Sequence, residues 1–363
     1  MAGLYQVLSS SMSQRVTSGE FWLTNMKSAP LITPHASRLE ILDALRGIAA
    51  IAVAVFHFTN AMRPNFFQEA SYFGQLGVDV FFVISGFIIP YSLARSRYCI
   101  RKDYGRYLLK RAARLHPPFL ASVLLAILLW HLSAFMPGFR GQAPTYDALQ
   151  VGLHALLANG ILGKAWLQPV YWTLAIEFQF YLVAGLVTPL CTAASRSMGF
   201  TISTLLLLSL LPVPKVWIIP YLPLFVMGML AFIHDRGGIS SRILLVGIIV
   251  SAALGIWSLS WQQMLAGSLT SLAIAYVRVP MPKPLLFFGS ISYSLYLVHV
   301  LLGGRIINFA GRYNLGPMPA QIAASAVALV VSMIGAYIWF RIFELPAQRW
   351  SSAIRYSSST SPK

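Results

Sequence analysis

Three ionisable side chains interrupt an otherwise apolar stretch early in the chain. The stretch runs from Leu42 to Phe58 and reads LDALRGIAAIAVAVFHF; the three are Asp43, Arg46 and His57. A helix turns about 100° per residue, so the steps from Arg46 to His57 bring the two back to within about 20° of one line, roughly 16 Å apart along the axis. Asp43 lies one turn before Arg46, near the same face. That stripe would cover about half of a bilayer core, with a cation at one end and an imidazole partway up. An arginine at a helix end can snorkel to lipid headgroups, and a histidine can hydrogen-bond a neighbouring helix. Ionisable groups at membrane depth are costly, however, and rarely idle. An imidazole that ionises near neutral pH is suited to take the proton of a hydroxyl as it attacks.

Two carboxylates sit in comparable settings. Asp79 lies near the start of GVDVFFVISGFIIPYSL, which also carries Ser85, and Glu177 lies within WTLAIEFQFY. A carboxylate at mid-bilayer costs about 2.5 to 3.5 kcal/mol, so each should face a cavity or a cation. Arg46 and His57 are the natural partners, and either acid could fix the His57 tautomer. Asp79 reads equally well as half of a structural ion pair. Thr173, Glu177 and Tyr181 are spaced to share one helical face. In KRAARLHPP, Arg111 and Arg114 stand at i and i+3, a fork suited to a phosphate-bearing ligand. The prolines after them, Pro117 and Pro118, fit the first turn of a following helix. SISYSLYLVH puts Ser292, Tyr296 and His299 on one face, to line a cavity or to bond between helices. Glu344 and Arg349, in FELPAQRW, read as a structural pair.

The elements that must hold these residues are membrane helices. Of 363 residues 57% are hydrophobic and 10% charged, and the mean hydropathy is +0.68. A soluble domain has about 25% charged residues. The expected fold is all-α, a polytopic helix bundle of about ten crossings. These are near 44–61, 76–93, 118–135, 171–191, 200–211, 216–233, 243–259, 261–277, 285–302 and 320–343. The apolar stretch 147–163 is too short to cross and reads as re-entrant or interfacial. Residues 1–37 read as a cytoplasmic tail, 38–349 as the membrane domain and 350–363 as a second cytoplasmic tail.

The net charge of +17 would point to nucleic acid in a soluble protein. Here it reports topology, because Lys and Arg collect on the cytoplasmic side. Eight of the 27 basic residues fall between Arg95 and Arg114. Ten crossings leave only Arg63, Arg140, Lys164, Lys215, Arg305 and Arg312 outside. Cys99 and Cys191 both fall on the inner side, which argues against a disulfide. No zinc-ligand spacing is present, so no metal is expected.

Read in order, LDALRGIAAIAVAVFHF, GVDVFFVISGFII, RAARLHP, WTLAIEFQFY, SISYSLYLVH and FELPAQR resemble the hallmark segments of the acyltransferase-3 family of polytopic membrane acyltransferases. The resemblance covers Arg38 to Arg349; Thr173 stands where serine is usual. It implies that His57 is the catalytic histidine, acting either as a base or as a covalent carrier of the acyl group, Arg46 its essential arginine, Arg111 and Arg114 the acyl-donor arginines, and Glu177 the family's glutamate. Asp43 joins the catalytic group. Asp79, Ser85, Thr173, Tyr181, Tyr296 and His299 are candidates for the substrate pocket. The implied activity is O-acetylation in a bacterial inner membrane by a stand-alone family member. Acetyl-CoA is a co-substrate rather than a resident cofactor, membrane lipid surrounds the chain, and a carbohydrate, lipid-linked or periplasmic, is the acceptor. A proton-coupled transporter or flippase would also use intramembrane His and Glu, but usually shows a repeat that this chain lacks. A membrane scaffold would tolerate loss of each residue singly.

Overall fold

A computed structural model describes residues 34–60, 62–96, 98–136, 144–192, 195–313 and 315–357. Residues 1–33 of the expected tail 1–37, residues 358–363 of the expected tail 350–363, and Arg140 lie outside the described residues. All regular structure within them is helical. The helices are α1 (Pro34–Thr59), α2 (Phe66–Tyr72), α3 (Gly77–Arg95), α4 (Ile100–Ala134), α5 (Ala148–Leu156), α6 (Tyr171–Thr192) and α7 (Ser195–Leu208). They continue with α8 (Leu222–Asp235), α9 (Ser241–Gly255), α10 (Trp261–Tyr276), α11 (Lys283–Ser290), α12 (Ser292–Ala310), α13 (Met318–Trp339) and α14 (Leu345–Ala353).

Among the described residues, five helical stretches are long and apolar enough to cross a membrane: Phe66–Arg95, Ile100–Ala134, Tyr171–Cys191, Ser292–Ala310 and Met318–Ala353. Arg196–Leu208, Ile219–Asp235 and Ser241–Gly255 are shorter apolar helices. The remaining expected crossings also fall on helices. The surface fits this assignment. Leu124, Leu128 and Leu132 form one exposed row on α4, and Val327, Val330, Ile334 and Ile338 form another on α13. Contiguous apolar surface of that kind suits lipid rather than water. The protein is a polytopic helical membrane protein.

The centre of the bundle is α8, buried at every position from Leu222 to Ile233. It crosses α3 where Gly228 meets Gly86. A Cβ on Gly228 would strike the Val83 carbonyl, and one on Gly86 the Phe225 carbonyl. Without a hydrophobic drive between helices in lipid, such close backbone approach supplies the packing.

Three expectations change. The basic run is not a loop. Residues Ile100 to Ala134 form one helix of 35 residues, with Pro117 and Pro118 inside it rather than in a first turn. The Tyr293 hydroxyl donates to the Leu115 carbonyl (2.8 Å) and the Trp339 indole to the Pro118 carbonyl (3.3 Å). Neighbouring helices thus bind carbonyls within and beside the turn that holds the prolines, while the amides the prolines lack leave the Ala113 and Arg114 carbonyls without their helical donors. At about 52 Å, α4 exceeds a bilayer core, so one end projects. There the C-terminal segment straps onto it: Asp103 accepts the Ser357 amide (2.8 Å) and Ser351 donates to the Lys110 carbonyl (2.8 Å).

The expected ninth crossing is two helices, α11 and α12, parted at Ile291. Here Glu344 corrects a further expectation: it makes no pair with Arg349. Its carboxylate accepts the Ser294 amide (3.1 Å) and hydroxyl (2.5 Å), and the Gln348 amide (3.0 Å). It therefore caps the N-terminus of α12, where free amides and the helix dipole favour an anion. A π turn, Phe340–Glu344, brings it there. Pro346 cannot donate and would crowd the Ile342 carbonyl in an α-helix, and the wider turn relieves both faults. The stretch 147–163 is not a crossing, as its length implied. Helix α5 covers nine residues and ends at Leu157, in the left-handed region (φ 53°).

Candidate functional site

Helices α1, α3, α4, α6 and α12 enclose a chamber at the basic end of the bundle. Its polar lining is Arg46, Ser85, Arg111, Arg114, Thr173, Glu177, Tyr181, Ser292, Tyr293 and Tyr296. About 100 Å³ of it is open to water centres, room for several waters. Three guanidiniums from two helices thus face one space. Arg111 is buried, its guanidinium 5.6 Å from the Tyr107 ring and 5.8 Å from the Tyr181 ring. Its Nε and Nη2 have no hydrogen-bond partner among the described residues. Nor does any of the three make an ion pair with a described residue. Arg114 is exposed and lines this chamber.

Glu177 also faces the chamber. Its Oε1 accepts from the Tyr181 hydroxyl (2.7 Å) and the Ser85 hydroxyl (2.9 Å). The shared face of Thr173, Glu177 and Tyr181 is present, since all three line the chamber. Glu177 does not hold His57, contrary to expectation. Asp43 is half-buried on α1 and does not line the chamber.

His57 lies in a second cavity of about 230 Å³, with Gln75, Asp79, Trp172 and Gln263. The two cavities share Val78, Thr173 and Tyr296. At this neck the Thr173 and Tyr296 hydroxyls are 2.6 Å apart, and both reach the Val170 carbonyl (3.0 Å each). Asp79 is buried and bonds neither Arg46 nor His57; it accepts from Gln263 Nε2 (3.0 Å). The other end of the same amide closes a capping box at the start of α10, where Gln263 Oε1 accepts the Ser260 amide (3.0 Å). Beyond, Gln75, Trp172 and Gln263 are shared with an outer cavity of about 460 Å³ that reaches Tyr72, Phe73, Lys215 and Tyr221. The arginine chamber, the His57 cavity and the outer cavity therefore follow one another in series.

Two rings lie close to His57: Phe56, its chain neighbour, at 5.0 Å between centroids, and His299, from α12, at 5.3 Å. His299 is fully buried, and its Nδ1 donates to the Leu295 carbonyl (3.0 Å). Sequence reasoning placed His299 on the right face but missed its neighbour. It also missed Gln75, Trp172 and Gln263. The one local sign was the Ser260–Gln263 capping spacing. No group of three or more His, Cys, Asp or Glu suited to a metal is found among the described residues.

Comparison with known proteins gives the context. Residues 39–337 match the acyltransferase domain of the acyltransferase-3 family. The O-acetyltransferase OatA of Staphylococcus aureus is 26% identical over 85% of this chain and 57% of its own length. The O-acetyl transferase of Shigella phage Sf6 is 30% identical over 39% of this chain and 44% of its own. The acyltransferase MdmB of Streptomyces mycarofaciens is 28% identical over 41% and 39%. The chain thus spans little more than half the length of the first of these relatives. No solved structure matches it. With most of its length, including every side chain that lines the arginine chamber, inside the matched region, the chain belongs to the acyltransferase-3 family.

Proposed function

We propose that the protein is a membrane O-acetyltransferase of a bacterial inner membrane, with both termini in the cytoplasm. It takes an acetyl group from cytoplasmic acetyl-CoA and delivers it to a hydroxyl of a cell-surface carbohydrate or its lipid-linked precursor. The observation that carries this reading is the set of three guanidiniums, Arg46, Arg111 and Arg114, that face one chamber and form no ion pair with a described residue, with Glu177 the single carboxylate in its lining. Unpaired cations in an enclosed site are costly, and a polyphosphate ligand would relieve that cost. CoA supplies such a ligand on the basic side. The names of the relatives support acyl transfer to oxygen.

The serial cavities supply the geometry of transfer. The donor lies against the arginines with its thioester directed through the Thr173–Tyr296 neck. The acceptor enters by the outer cavity, where Trp172, Tyr221 and the amides of Gln75 and Gln263 offer stacking and hydrogen bonds to a sugar. The two meet at His57. Its imidazole takes the proton of the acceptor hydroxyl as that oxygen attacks the thioester carbonyl. The tetrahedral intermediate expels the CoA thiolate, to which His57 returns the proton, giving ester and free thiol. Glu177 acts from the chamber, fixing Tyr181 and Ser85 and balancing part of the arginine charge. Asp43 balances Arg46 from the same helix.

The test is incubation of purified protein with radiolabelled acetyl-CoA and an oligosaccharide acceptor, with free CoA and labelled ester as readouts. His57→Ala should abolish ester formation while the protein still folds and binds CoA. Wild-type transfer by that variant, or no CoA binding by the wild type, overturns the reading.

A further inference from the structure

His57 has no hydrogen-bond partner among the described residues, although its base chemistry needs one nitrogen bare and the other held. Neither carboxylate that could hold it does so: Glu177 is engaged by Ser85 and Tyr181, and Asp79 by Gln263. The polar ring that does lie against it is His299, on α12; the other close ring, Phe56, is apolar.

His299 has an uncommon environment. It is fully buried, beside Phe58 and Tyr296. A carbonyl can only accept, so the Leu295 oxygen fixes the proton of the neutral His299 ring on Nδ1. Nε2 is then a lone-pair acceptor, and it is buried with no hydrogen-bond partner among the described residues. Buried polar atoms are nearly always satisfied, so an exception calls for an explanation. A centroid separation of 5.3 Å allows ring edges to approach to about 3 Å once the rings face each other, because each ring atom lies about 1.2 Å from its centroid.

We propose that His299 is the positioning residue for His57: its Nε2 accepts the N–H of the His57 imidazole in the working state. The Leu295 carbonyl, His299 and His57 then form a chain in which each proton has one place to go. Leu295 fixes the His299 tautomer, and His299 fixes that of His57. The far nitrogen of His57 is left bare toward the cavity that holds Gln75 and Asp79. A neutral imidazole so fills the place that a carboxylate takes in other histidine bases. It orients His57 without placing a second charge in the membrane, which a carboxylate there would do. No proton passes to His299; it accepts a hydrogen bond only.

This inference rests on His57 being the base, and its test separates the two claims. His299→Phe keeps the ring volume and removes the acceptor. Its kcat should fall on the order of 10²-fold with KM for acetyl-CoA unchanged. In His299→Gln the amide oxygen occupies the place of Nε2, and much of the loss should return. Nitrogen NMR of histidine-labelled protein reads the His57 tautomer without any turnover. The wild type should show one dominant tautomer, and His299→Phe a mixture. An unchanged His57 signal in His299→Phe, or kcat equal to wild type, overturns the proposal. Wild-type transfer by His57→Ala would instead remove the base assignment, with the NMR result still deciding the hydrogen bond.

Discussion

Two fully buried histidines in this molecule are treated very differently. His154, on the short helix α5, has both ring nitrogens engaged: Nδ1 donates to the Gln150 carbonyl (2.8 Å) and Nε2 accepts the Leu167 amide (3.2 Å). His299, on α12, has one nitrogen engaged and one bare. The same contrast separates Glu344 from Arg111. Glu344 is buried with three donors on its carboxylate; Arg111 is buried with two of its nitrogens unpartnered. Groups satisfied by the fold hold it together, because removing them strands their partners. Groups the fold leaves unsatisfied, where a cavity adjoins them, are available to something else. Burial alone does not separate the two kinds; the hydrogen-bond ledger does.

The sharpest way to break this contrast is to remove one member of each kind. Glu344→Ala strands the buried Ser294 amide and hydroxyl and uncaps α12. Each stranded group costs about 1 to 3 kcal/mol, so a loss of about 3 kcal/mol is expected in thermal unfolding in detergent. Arg111→Met should do the opposite. It keeps an apolar stem between Tyr107 and Tyr181 and removes an unpaired buried charge. The unfolding midpoint should hold or rise, while KM for acetyl-CoA should rise about 10- to 100-fold, or about 1.4 to 2.7 kcal/mol of binding. If Arg111→Met destabilises as much as Glu344→Ala does, the arginine is structural and the contrast fails.

The histidines give the next comparison. His154→Phe should cost about 1 to 2 kcal/mol, because the half-buried Leu167 amide loses its acceptor while the Gln150 carbonyl keeps the Asn159 amide (2.9 Å). The folded fraction should turn over at the wild-type kcat. A fall in kcat would mean that a satisfied histidine matters to the chemistry, and the hydrogen-bond criterion would lose its force.

Much of this architecture was legible in the sequence, and what was not has physical causes. The helical periodicity of LDALRGIAAIAVAVFHF put Arg46 and His57 on one stripe, and they do line successive cavities. The i±4 spacing put Thr173, Glu177 and Tyr181 on one face. What spacing along one helix cannot give is the partner across helices. The carboxylates were matched to His57 by charge, but α3 turns Asp79 to Gln263 and α6 turns Glu177 to Ser85. The long α4 was hidden by its own signals, since a basic run and two prolines each read as the end of a helix. Tyr293 and Trp339, from α12 and α13, far away in the chain, hold that stretch through the Leu115 and Pro118 carbonyls. Glu344 was paired with Arg349 by proximity, whereas a π turn changes which way the carboxylate faces.

The smallest expected effect lies at the edge of the fold, in the loop beside α5. Asp147 accepts the Gln150 amide as N-cap of that helix and pairs with Lys164 (2.6 Å). The Lys164 ammonium and the Gln150 amide hold its carboxyl below the ordinary value of 3.8. A carboxyl depressed in the folded state adds stability above its unfolded value, and loses it as pH falls through the folded one. Both side chains are exposed to water, so screening keeps the contribution slight. Asp147→Asn retains the cap oxygen and drops the charge. Its unfolding midpoint should lie marginally below that of the wild type at neutral pH and converge with it as pH falls through the folded value of the carboxyl. Added salt at neutral pH should close the same gap. A difference that persists in acid would mean that Asp147 works through its shape at the helix cap and not through its charge on Lys164. The one lysine on this loop with a visible counter-ion would then be as free for an anionic ligand as the chamber arginines are.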